Sequence, residues 1–461
     1  MDRFDPKLLR KKHAGILGLG RSGLQAANLL ARKGFKVLVS DRRPRRETAL
    51  LARKLRPGVR WEGGGHSDKL LRCAFAVKSP GIASHAPILE KLRKAGVPVF
   101  SELETALAFC PARGVVAVTG TNGKTTTTLL LASIFKAARR GHHAAGNLGI
   151  ALSAVSPKVK KKDTLILEVS SYQLEDSRYF RPSVGALLNV TADHIDHHGG
   201  MSRYIQAKAR LFHRQDREDY CVFNGDDPIV VKLSRQCPAR KLFFSHHRRT
   251  LSHAWIDSGK ICVKLPRQAK ETRLSPPKLP GLHNLENAMA AALAALASGI
   301  KTASIQKGFK GFKGVEHRLE PCAAVRAIHC INDSKATNVE STLTALKALS
   351  DFRAPRILLI LGGLHKGYPY TPLRSFLGTT VKGILTIGSA ARKVEEDLSG
   401  CVPIFPCSTL KDAVKIGLQV GAKGDILLLS PACASFDQFQ DFEDRGRQFK
   451  DFLRKARAGK L

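Results

Sequence analysis

Short apolar segments recur along nearly the whole chain and are separated by stretches with helical periodicity. Examples are HAGILGLG, FKVLVSD, VVAVTG, TLILEVSS, VGALLNVT, RILLILGG, GILTIGS and DILLLSP. Continuous apolar runs of this length are typical of parallel strands that are buried on both faces. Strands that alternate with helices indicate βα units, so the sequence predicts the α/β fold class.

The chain is long enough for several domains. It has 461 residues, and at about 150 residues per domain this length predicts roughly three. We place the domain boundaries near residues 102 and 316. A basic, weakly apolar segment at 264–280 is expected to be a loop, and the Ala-rich run after Pro280-Gly281 predicts a helix that ends near Ser298-Gly299.

No segment of the sequence is typical of a protein that enters a membrane. The first residues, MDRFDPKLLRKK, lack the apolar region of a signal peptide. The longest weakly apolar stretch, MAAALAALASGI at 289–300, is too short to span a bilayer. Ten cysteines occur without a CxxC pair, which favours reduced thiols over a disulfide framework or a zinc site. We therefore expect a cytoplasmic protein without a membrane partner.

The chain is strongly basic, with 76 Lys and Arg against 38 acidic residues and a formal net charge of +38. Nucleic-acid binding is one interpretation of such a charge, and a uniformly basic surface is the other. The basic clusters lie at 42–46, 158–162, 246–249, 307–313 and 454–460. Because they are spread along the chain with few aromatic residues among them, we favour the second interpretation and expect no specific nucleic-acid partner. A positive field would also steer anionic substrates toward the protein.

The motif GLGRSG at 18–23 follows a predicted strand and opens a predicted helix. Its glycines are Gly18, Gly20 and Gly23, and Asp41 ends the next strand 18 residues beyond Gly23. This is the pattern of a dinucleotide-binding turn, in which backbone amides at a helix N-terminus meet a pyrophosphate. The motif indicates a nucleotide or nucleotide-sugar without specifying NAD, and a plain tight turn is the alternative.

A second glycine motif, GTNGKTT at 120–126, has the form of a phosphate-binding loop after a strand. The usual loop has a glycine five residues before the Gly-Lys pair, where this chain has Val118, so the loop is a shortened variant. Its backbone amides would cradle phosphates, Lys124 would reach the outer ones, and the Thr125 hydroxyl would ligate Mg²⁺. We predict that ATP or a similar nucleotide binds here.

Two further polar segments follow predicted strands. Glu168, in LEVSSYQLE, is placed to hold Mg²⁺ beside the phosphate loop, although an ordinary strand-end acid would have the same pattern. The segment NVTADHIDHH at 189–198 carries three histidines and two aspartates, a composition that suggests zinc. Zinc needs three or four convergent ligands, so we favour one histidine near a Mg²⁺–phosphate site over a zinc centre.

Eight motifs, taken in order, resemble those of the muramyl ligases of peptidoglycan synthesis. They are TGTNGKTT, EVSSYQLE, NVTADHIDHH, FNGDDP, LPGLHNLENAMAA, FKGVEHRLE, NDSKATN and SPACASFDQF. The last two, together with KSPGI at 78–82, are similar to the branch of the family that adds D-glutamate. The resemblance covers about residues 14 to 453, which is nearly the whole chain.

The resemblance implies three α/β domains. Residues 1–102 would form a Rossmann-like domain that binds the UDP substrate, and 103–316 a central P-loop domain that binds ATP. Residues 317–461 would form a second Rossmann-like domain that binds the amino acid and closes over ATP. The implied reaction joins D-glutamate to UDP-N-acetylmuramoyl-L-alanine through an acyl phosphate. The implied cofactors are ATP and two Mg²⁺ ions. We expect the enzyme to be cytoplasmic and monomeric.

The resemblance also implies which residues contact each ligand. The UDP substrate would contact Gly18, Gly20, Arg21, Ser22, Gly23, Asp41, Arg42 and Asn147. ATP would contact Gly120, Thr121, Asn122, Gly123, Lys124, Thr125, Thr126, Asn284, Asn287, His317, Arg318, Asp333 and Lys335. D-glutamate would contact Thr337, Lys366, Ser435, Phe436 and Phe442. A departure from the family is Leu364-His365, which stands before Lys366 where a more polar pair is frequent.

The metal assignments combine the motifs described above with the same resemblance, which contributes His194 and Lys208. Thr125 and Glu168 would hold one Mg²⁺, and His194 and Lys208 the other; Lys124, His194 and Lys208 are the expected catalytic residues. Lys208 matches a family lysine that is carried as a carbamate. A carbamate is an anionic oxygen ligand, whereas an ammonium would repel Mg²⁺. Without the resemblance, Lys208 would be interpreted as a solvated helix residue.

Two alternative functions remain at the level of sequence. One is a sibling ligase, of the muramyl or folylpolyglutamate type, that adds a different amino acid; the motif SPACASFDQF argues against it. The other is a basic P-loop ATPase that binds nucleic acid, which would show ATPase activity stimulated by DNA or RNA and a steep dependence on salt.

Overall fold

The computed structural model describes residues 13–83, 85–191, 195–266, 270–279, 281–350, 354–365 and 367–461, with the backbone alone at 195 and 196. The strands in these ranges form three sheets, of five, nine and six strands. Helices connect most of the parallel strands, as the alternating sequence pattern predicts. The fold class is α/β.

The first sheet is parallel throughout and has the strand order β3-β2-β1-β4-β5. The chain turns back across the sheet at β1, and GLGRSG directly follows this strand. Such a switch point is where open α/β sheets bind ligands. The strands are β1 (His13–Leu17), β2 (Lys36–Asp41), β3 (Arg60–Gly63), β4 (Phe75–Lys78) and β5 (Val99–Ser101). The connecting helices are Arg21–Arg32, Arg45–Ala52, the 3₁₀ helix Asp68–Arg72 and Pro87–Lys94.

The second sheet has the order β14-β13-β12-β11-β10-β9-β6-β8-β7. It is parallel from β7 to β12 and antiparallel through β13 and β14. Its strands are β6 (Gly114–Thr119), β7 (His142–Gly146), β8 (Thr164–Glu168), β9 (Val184–Leu187), β10 (Tyr220–Asn224), β11 (Arg240–Phe244), β12 (Ser252–Asp257), β13 (Lys260–Val263) and β14 (Thr272–Leu274). Its helices are Glu102–Ala108, Lys124–Ala137, Leu152–Val155, Ser156–Lys158 (3₁₀), Ser171–Glu175, Ile195–His198, Met201–Ala209, Pro228–Ser234, Leu282–Ala297 and Thr302–Gly311.

The third sheet has the order β15-β16-β20-β17-β18-β19 and is parallel except for the pair β15-β16. Its strands are β15 (Glu320–Pro321), β16 (His329–Asn332), β17 (Ile357–Gly362), β18 (Val381–Ile387), β19 (Ile404–Pro406) and β20 (Ile426–Leu429). Its helices are Val339–Ala348, Thr371–Phe376 (3₁₀), Ala391–Leu398, Leu410–Val420 and Phe442–Arg457.

Burial on both faces explains the continuous apolar strands. In β8, Ile166 belongs to the core that contains the helix Leu282–Ala297, whereas Leu165 and Leu167 belong to the core on the opposite face. Successive side chains of a strand point to opposite faces. A strand covered by helices on both sides therefore needs an apolar residue at every position.

The eight apolar segments predicted to be strands are all strands in the structure. The predicted Ala-rich helix is also present, as Leu282–Ala297. The segment 264–280 differs from the expected loop, because it contains the short strand β14, which pairs with β13 in a hairpin. Part of that segment, at 267–269 and 280, lies outside the described residues.

The chain divides into two compact units. One runs to Lys278 and includes His283–Phe312, and the other consists of Leu279–Leu282 and Lys313–Leu461. The first unit holds the first two sheets, and the second unit holds the third. Within the described ranges, each helix is too short or too polar to cross a bilayer.

Candidate active site

The first glycine motif forms a tight turn between β1 and the helix Arg21–Arg32. Gly18 has φ +88°, a conformation that favours glycine. A side chain at Gly23 would overlap the carbonyl oxygen of Gly18, so only glycine fits there. Arg21 begins the helix and lies beside Gly149, in the same GNLG loop as Asn147. The structure thus brings together two segments that the sequence assigned to the UDP substrate.

Asp41, at the end of β2, stabilises this turn through hydrogen bonds. Its carboxylate accepts hydrogen bonds from the Leu19 amide at 2.6 Å and from the Arg43 guanidinium at 2.8 and 3.0 Å. Burial alone would raise the pKa of Asp41, but the hydrogen bonds from Arg43 and Leu19 outweigh it and lower the pKa to about 2. Arg42 is exposed beside it. Sequence reasoning missed Arg43, which it counted only within a basic cluster.

The second glycine motif lies between β6 and the helix Lys124–Ala137. Gly123 has φ +83° and caps that helix, and a side chain there would overlap Oδ1 of Asn287. Lys124 Nζ donates to the carbonyl oxygens of Gly120 and Thr121 at 2.9 and 2.7 Å, which holds its ammonium over the loop. Helix N-termini with such amide turns bind anions. The geometry is therefore that of a phosphate-binding loop.

Neighbouring segments fix the shape of this loop. The Asn122 amide donates to Oδ1 of Asn189 at 2.8 Å. The hydroxyls of Thr121 and Tyr204 lie 2.8 Å apart. Asn189 and Tyr204 were not predicted as site residues. Of the residues assigned to ATP in this unit, Thr125, Thr126, Asn284 and Asn287 are all buried around the loop, and Asn287 Nδ2 donates to Oδ1 of Asn284 at 3.2 Å.

Glu168 ends β8, the strand next to β6, and its side chain is 2% exposed. Oε1 accepts a hydrogen bond from Asn147 Nδ2 at 2.8 Å. Oε2 is buried and has no hydrogen-bond partner among the described residues. A buried carboxylate oxygen without a donor is costly, and a cation would compensate it. The residues present therefore fit the predicted Mg²⁺ site, and Asn147 is tied to it.

Lys208 lies in the helix Met201–Ala209, and its side chain is 2% exposed. This burial contradicts the interpretation of Lys208 as a solvated helix residue. Its Nζ lies 4.6 Å from the centre of the Tyr204 ring, and Tyr204 in turn reaches Thr121 of the phosphate loop. Lys208 is thus one side chain away from that loop. His194, its predicted partner, lies outside the described residues.

In the second unit, the segment 317–337 gathers the residues assigned to ATP around β16. His317 is buried, adopts φ +62°, and its Nδ1 lies 2.9 Å from Nδ2 of Asn332. Burial lowers the pKa of His317. Its carbonyl accepts from the amide of Lys335 at 3.0 Å, and Lys335 Nζ lies 5.6 Å from the ring centre of Phe442. The Nε of Arg318 is buried without a hydrogen-bond partner among the described residues.

Asp333 is a buried acid at the end of β16. Its carboxylate accepts from Ser430 Oγ at 2.8 Å and from the Leu319 amide at 3.1 Å. Burial raises the pKa of Asp333 to about 6, although these hydrogen bonds and the charge of Arg318 oppose the shift. An ionised carboxylate that is held here at neutral pH destabilises the fold, as residues at functional sites often do.

Asp333→Asn is expected to make the second unit more stable. The folded pKa of about 6 lies above the ordinary value of 3.8. The destabilisation by the ionised acid is therefore absent below pH 4, grows between pH 4 and pH 6, and is complete above pH 6. The amide can still accept from Leu319 and donate to Ser430. We expect the variant to gain about 2–3 kcal/mol at pH 7.5 and to lose this gain near pH 4. Urea unfolding at both pH values measures it, and a variant less stable at pH 7.5 would contradict the assignment.

Arg445 joins the two loops that carry the residues assigned to D-glutamate. Its guanidinium is fully buried and donates to Ser334 Oγ at 3.0 Å, to Ser334 O at 2.9 Å and to Cys433 O at 3.1 Å. Burial lowers its pKa to about 10, which leaves it charged at neutral pH. Sequence reasoning missed Arg445, because an arginine inside a polar helix pattern gives no signal of burial.

The residues assigned to D-glutamate are only partly gathered. Ser435 is buried beside the Arg445 acceptors, whereas Phe436 is 69% exposed. The Thr337 amide donates to Lys335 O at 2.9 Å, which places it in the His317 segment. Lys366 lies outside the described residues.

The unusual His365 before Lys366 has a structural partner. Its Nδ1 lies 3.1 Å from the hydroxyl of Tyr370, and that hydroxyl lies 2.9 Å from Cys433 Sγ. Cys433 belongs to the motif SPACASFDQF. His365 therefore links the LGGLHKG segment to the loop that carries Ser435.

Comparison with known proteins identifies the family of the chain. Three family models match in order: the N-terminal domain of the MurD-like Mur ligases at residues 12–101, the Mur ligase middle domain at 118–295, and the Mur ligase glutamate ligase domain at 317–433. The UDP-N-acetylmuramoylalanine–D-glutamate ligase of Elusimicrobium minutum is 43% identical and covers 98% of this chain and 99% of its own length. The ligase of the same name from Koribacter versatilis is 39% identical and covers 97% of this chain and 98% of its own length.

Solved structures share the fold at low sequence identity. The UDP-N-acetylmuramate–alanine ligase of Thermotoga maritima has a TM-score of 0.61 at 19% identity and covers 96% of this chain and 99% of its own. The MurF ligase of the same organism, in complex with ADP, has a TM-score of 0.60 at 16% identity and covers 98% of this chain and 99% of its own. The three matched domains and the full-length relatives lead to one conclusion: this chain belongs to the Mur ligase family.

Proposed function

We propose that this chain is the ATP-dependent ligase that joins D-glutamate to UDP-N-acetylmuramoyl-L-alanine in peptidoglycan precursor synthesis. The observation that carries the proposal is its similarity, along 98% of its length, to a ligase named for that reaction. The phosphate-binding loop and the buried acid Glu168 beside it support the ATP-dependent half of the reaction.

A carboxylate does not condense with an amine in water unless it is activated. In the proposed reaction, the terminal carboxylate of the UDP substrate attacks the γ-phosphorus of ATP, the bond from that phosphorus to the β–γ bridging oxygen breaks, and the products are an acyl phosphate and ADP. The amine of D-glutamate then attacks the acyl carbon and releases phosphate. Lys124, at the start of its helix, would neutralise the charge that develops on the transferred phosphoryl group. The amides of the loop would hold the remaining phosphates in line.

Two Mg²⁺ ions are part of the proposal. Thr125 and Glu168 would hold the first, and His194 and a carbamylated Lys208 the second. The support is the buried Oε2 of Glu168, which has no hydrogen-bond donor in the described part of the chain, and the burial of Lys208. When bound, the ions would neutralise the phosphate charge and draw electron density from the reacting phosphoryl group.

We assign the three domains to the three substrates. The N-terminal domain, to about residue 102, would bind UDP at the GLGRSG turn, with Arg21, Ser22 and Arg42 at the ligand. The central domain, to about 316, would bind ATP, and the remainder would bind D-glutamate and part of ATP. We place the reaction in the cytoplasm because it consumes ATP. The monomer is the proposed working unit, because all proposed site residues come from one chain.

Arg42→Ala is expected to raise the KM for the UDP substrate about tenfold and to leave the KM for ATP unchanged. The size corresponds to one charge-assisted hydrogen bond. Arg42 is the cleaner probe, because Asp41 holds the turn itself. Arg46→Ala, at an exposed position of the next helix, is the matched control. Equal changes in both KM values would contradict separate nucleotide sites.

A panel of amino acids tests the proposed function. Phosphate release from ATP is measured with UDP-N-acetylmuramoyl-L-alanine and, in turn, D-glutamate, L-glutamate, L-alanine and a diamino acid. The proposal expects release with D-glutamate alone. Release with another amino acid and none with D-glutamate would indicate a sibling ligase, and release stimulated by DNA or RNA would indicate a nucleic-acid-dependent ATPase.

A further inference from the structure

Three side chains of metal-ligating type meet beside Tyr204, whose hydroxyl bonds to the phosphate loop, at residues that the reaction above does not use. They are Glu175, at the end of the helix Ser171–Glu175, and His197 and His198, in the helix Ile195–His198. Glu175 Oε2 lies 3.3 Å from His197 Nε2 and 3.6 Å from His198 Nδ1. All three atoms lie within 4.8 Å of one another.

The two distances from Glu175 Oε2 are those expected between ligands of one ion. Zinc binds histidine nitrogen at about 2.0–2.1 Å with tetrahedral geometry, which separates neighbouring ligand atoms by about 3.4 Å. The two distances from Glu175 match this separation. Although His197 Nε2 and Glu175 Oε2 are close, neither atom makes a hydrogen bond to any described residue. Their geometry is thus unlike that of a hydrogen-bonded ion pair.

Both imidazole rings are held in place by neighbouring side chains. His198 Nε2 lies 3.0 Å from Ser171 Oγ, which leaves Nδ1 on the side of Glu175. Ligating histidines typically make such a second hydrogen bond, because it fixes the tautomer and the ring orientation. Tyr172 contacts both rings, edge-on to His197 at 4.0 Å between ring centres and stacked with His198 at 5.4 Å.

We propose that Glu175, His197 and His198 form a binding site for a transition-metal ion of the Zn²⁺ class. Two imidazoles and one carboxylate suit Zn²⁺ or Co²⁺, whereas Mg²⁺ prefers oxygen ligands alone. The His198 side chain is fully buried, but Glu175 and His197 are partly exposed, at 22% and 15%. An ion can therefore enter from that side, and its fourth ligand would be water.

The ion would have a structural role. It would connect the helix after Glu168 to the helix that precedes Met201–Ala209. The His198 ring also lies 5.4 Å from the Tyr204 ring, and Tyr204 bonds to Thr121 of the phosphate loop. The site would thus stabilise the phosphate loop through Tyr204. Its three residues differ from those assigned to Mg²⁺, which are Thr125, Glu168, His194 and Lys208, and the site does not depend on the proposed function.

Titration of the metal-free enzyme with Co²⁺ tests the site, because tetrahedral Co²⁺ has characteristic visible absorption. We expect one Co²⁺ per chain with these bands, displaced by Zn²⁺, in the wild type and in the exposed-histidine control His247→Ala. We expect the bands to be lost in His197→Ala and in the nearly isosteric Glu175→Gln. Circular dichroism of both variants without metal establishes that they fold. Glu168→Gln should retain the bands.

Three results would overturn the site. The first is unchanged Co²⁺ bands in folded His197→Ala and Glu175→Gln. The second is a near-ultraviolet thiolate charge-transfer band, which would assign the ion to cysteine. The third is loss of the bands in Glu168→Gln, which would place the ion at the Mg²⁺ site. As an independent measure, saturating Zn²⁺ should raise the melting temperature of the wild type and not that of His197→Ala.

Discussion

Lys208→Ala is expected to leave the ligase almost inactive, and added acetate or formate should restore part of the rate. Lys208 is 2% exposed and lies beside Tyr204, whose hydroxyl bonds to the phosphate loop. A lysine carbamate there would supply an anionic oxygen ligand for a second Mg²⁺. The alanine variant leaves space where a short carboxylate can enter and present the same kind of oxygen.

Two comparisons make this prediction specific. Lys208→Arg should stay inactive with or without acetate, because a guanidinium is not carbamylated under these conditions. Lys232→Ala replaces an exposed lysine of another helix and should keep full activity and change stability by less than about 0.5 kcal/mol. Initial rates at increasing acetate concentration measure the rescue. Full activity of Lys208→Ala, or a folded inactive variant that acetate does not rescue, would contradict the carbamate.

Lys124→Ala is expected to lower kcat by at least about 100-fold, the size of one lost transition-state charge contact. The helix that it begins is capped by Gly123 and packs into the core through apolar residues further along, such as Leu130, Leu131 and Ile134. The loss should therefore appear in activity and not in folding. Kinetics with saturating ATP, together with the melting temperature, separate the two effects.

Lys136→Ala, at an exposed position near the other end of the same helix, is the matched control and should retain normal kcat. A Lys124→Ala enzyme with near-normal kcat would show that the loop binds phosphate without taking part in the chemistry. A large drop in its melting temperature would show that Lys124 is structural.

The sequence predicted the strands because a strand that is buried on both faces has an apolar residue at nearly every position, as in β8. It also placed Lys124 at the start of a helix and Glu168 at the end of a strand, as the structure has them, and their roles at the site stay predictions. The motif of His197 and His198 was recognised as a possible metal segment. Its third member, Glu175, belongs to a different motif, and only the folded chain brings the two together.

Residues that act through long-range hydrogen bonds were not predictable. Arg43 donates hydrogen bonds to Asp41, Asn189 and Tyr204 hold the phosphate loop, and Arg445 connects Ser334 to Cys433 across two loops that are distant along the chain. Each has an ordinary local context in the sequence. The role comes from a partner that tertiary structure supplies, so local patterns cannot reveal it.

The central claim is that the chain activates one carboxylate as an acyl phosphate and transfers it to D-glutamate. The most direct test supplies UDP-N-acetylmuramoyl-L-alanine with ¹⁸O at both oxygens of its terminal carboxylate, together with ATP and D-glutamate. Mass spectrometry of the products should find the D-glutamyl amide and one ¹⁸O in each phosphate released. When L-glutamate replaces D-glutamate, no ¹⁸O-labelled phosphate should be released. An amide product with unlabelled phosphate, or no D-glutamate-dependent product, would contradict the account.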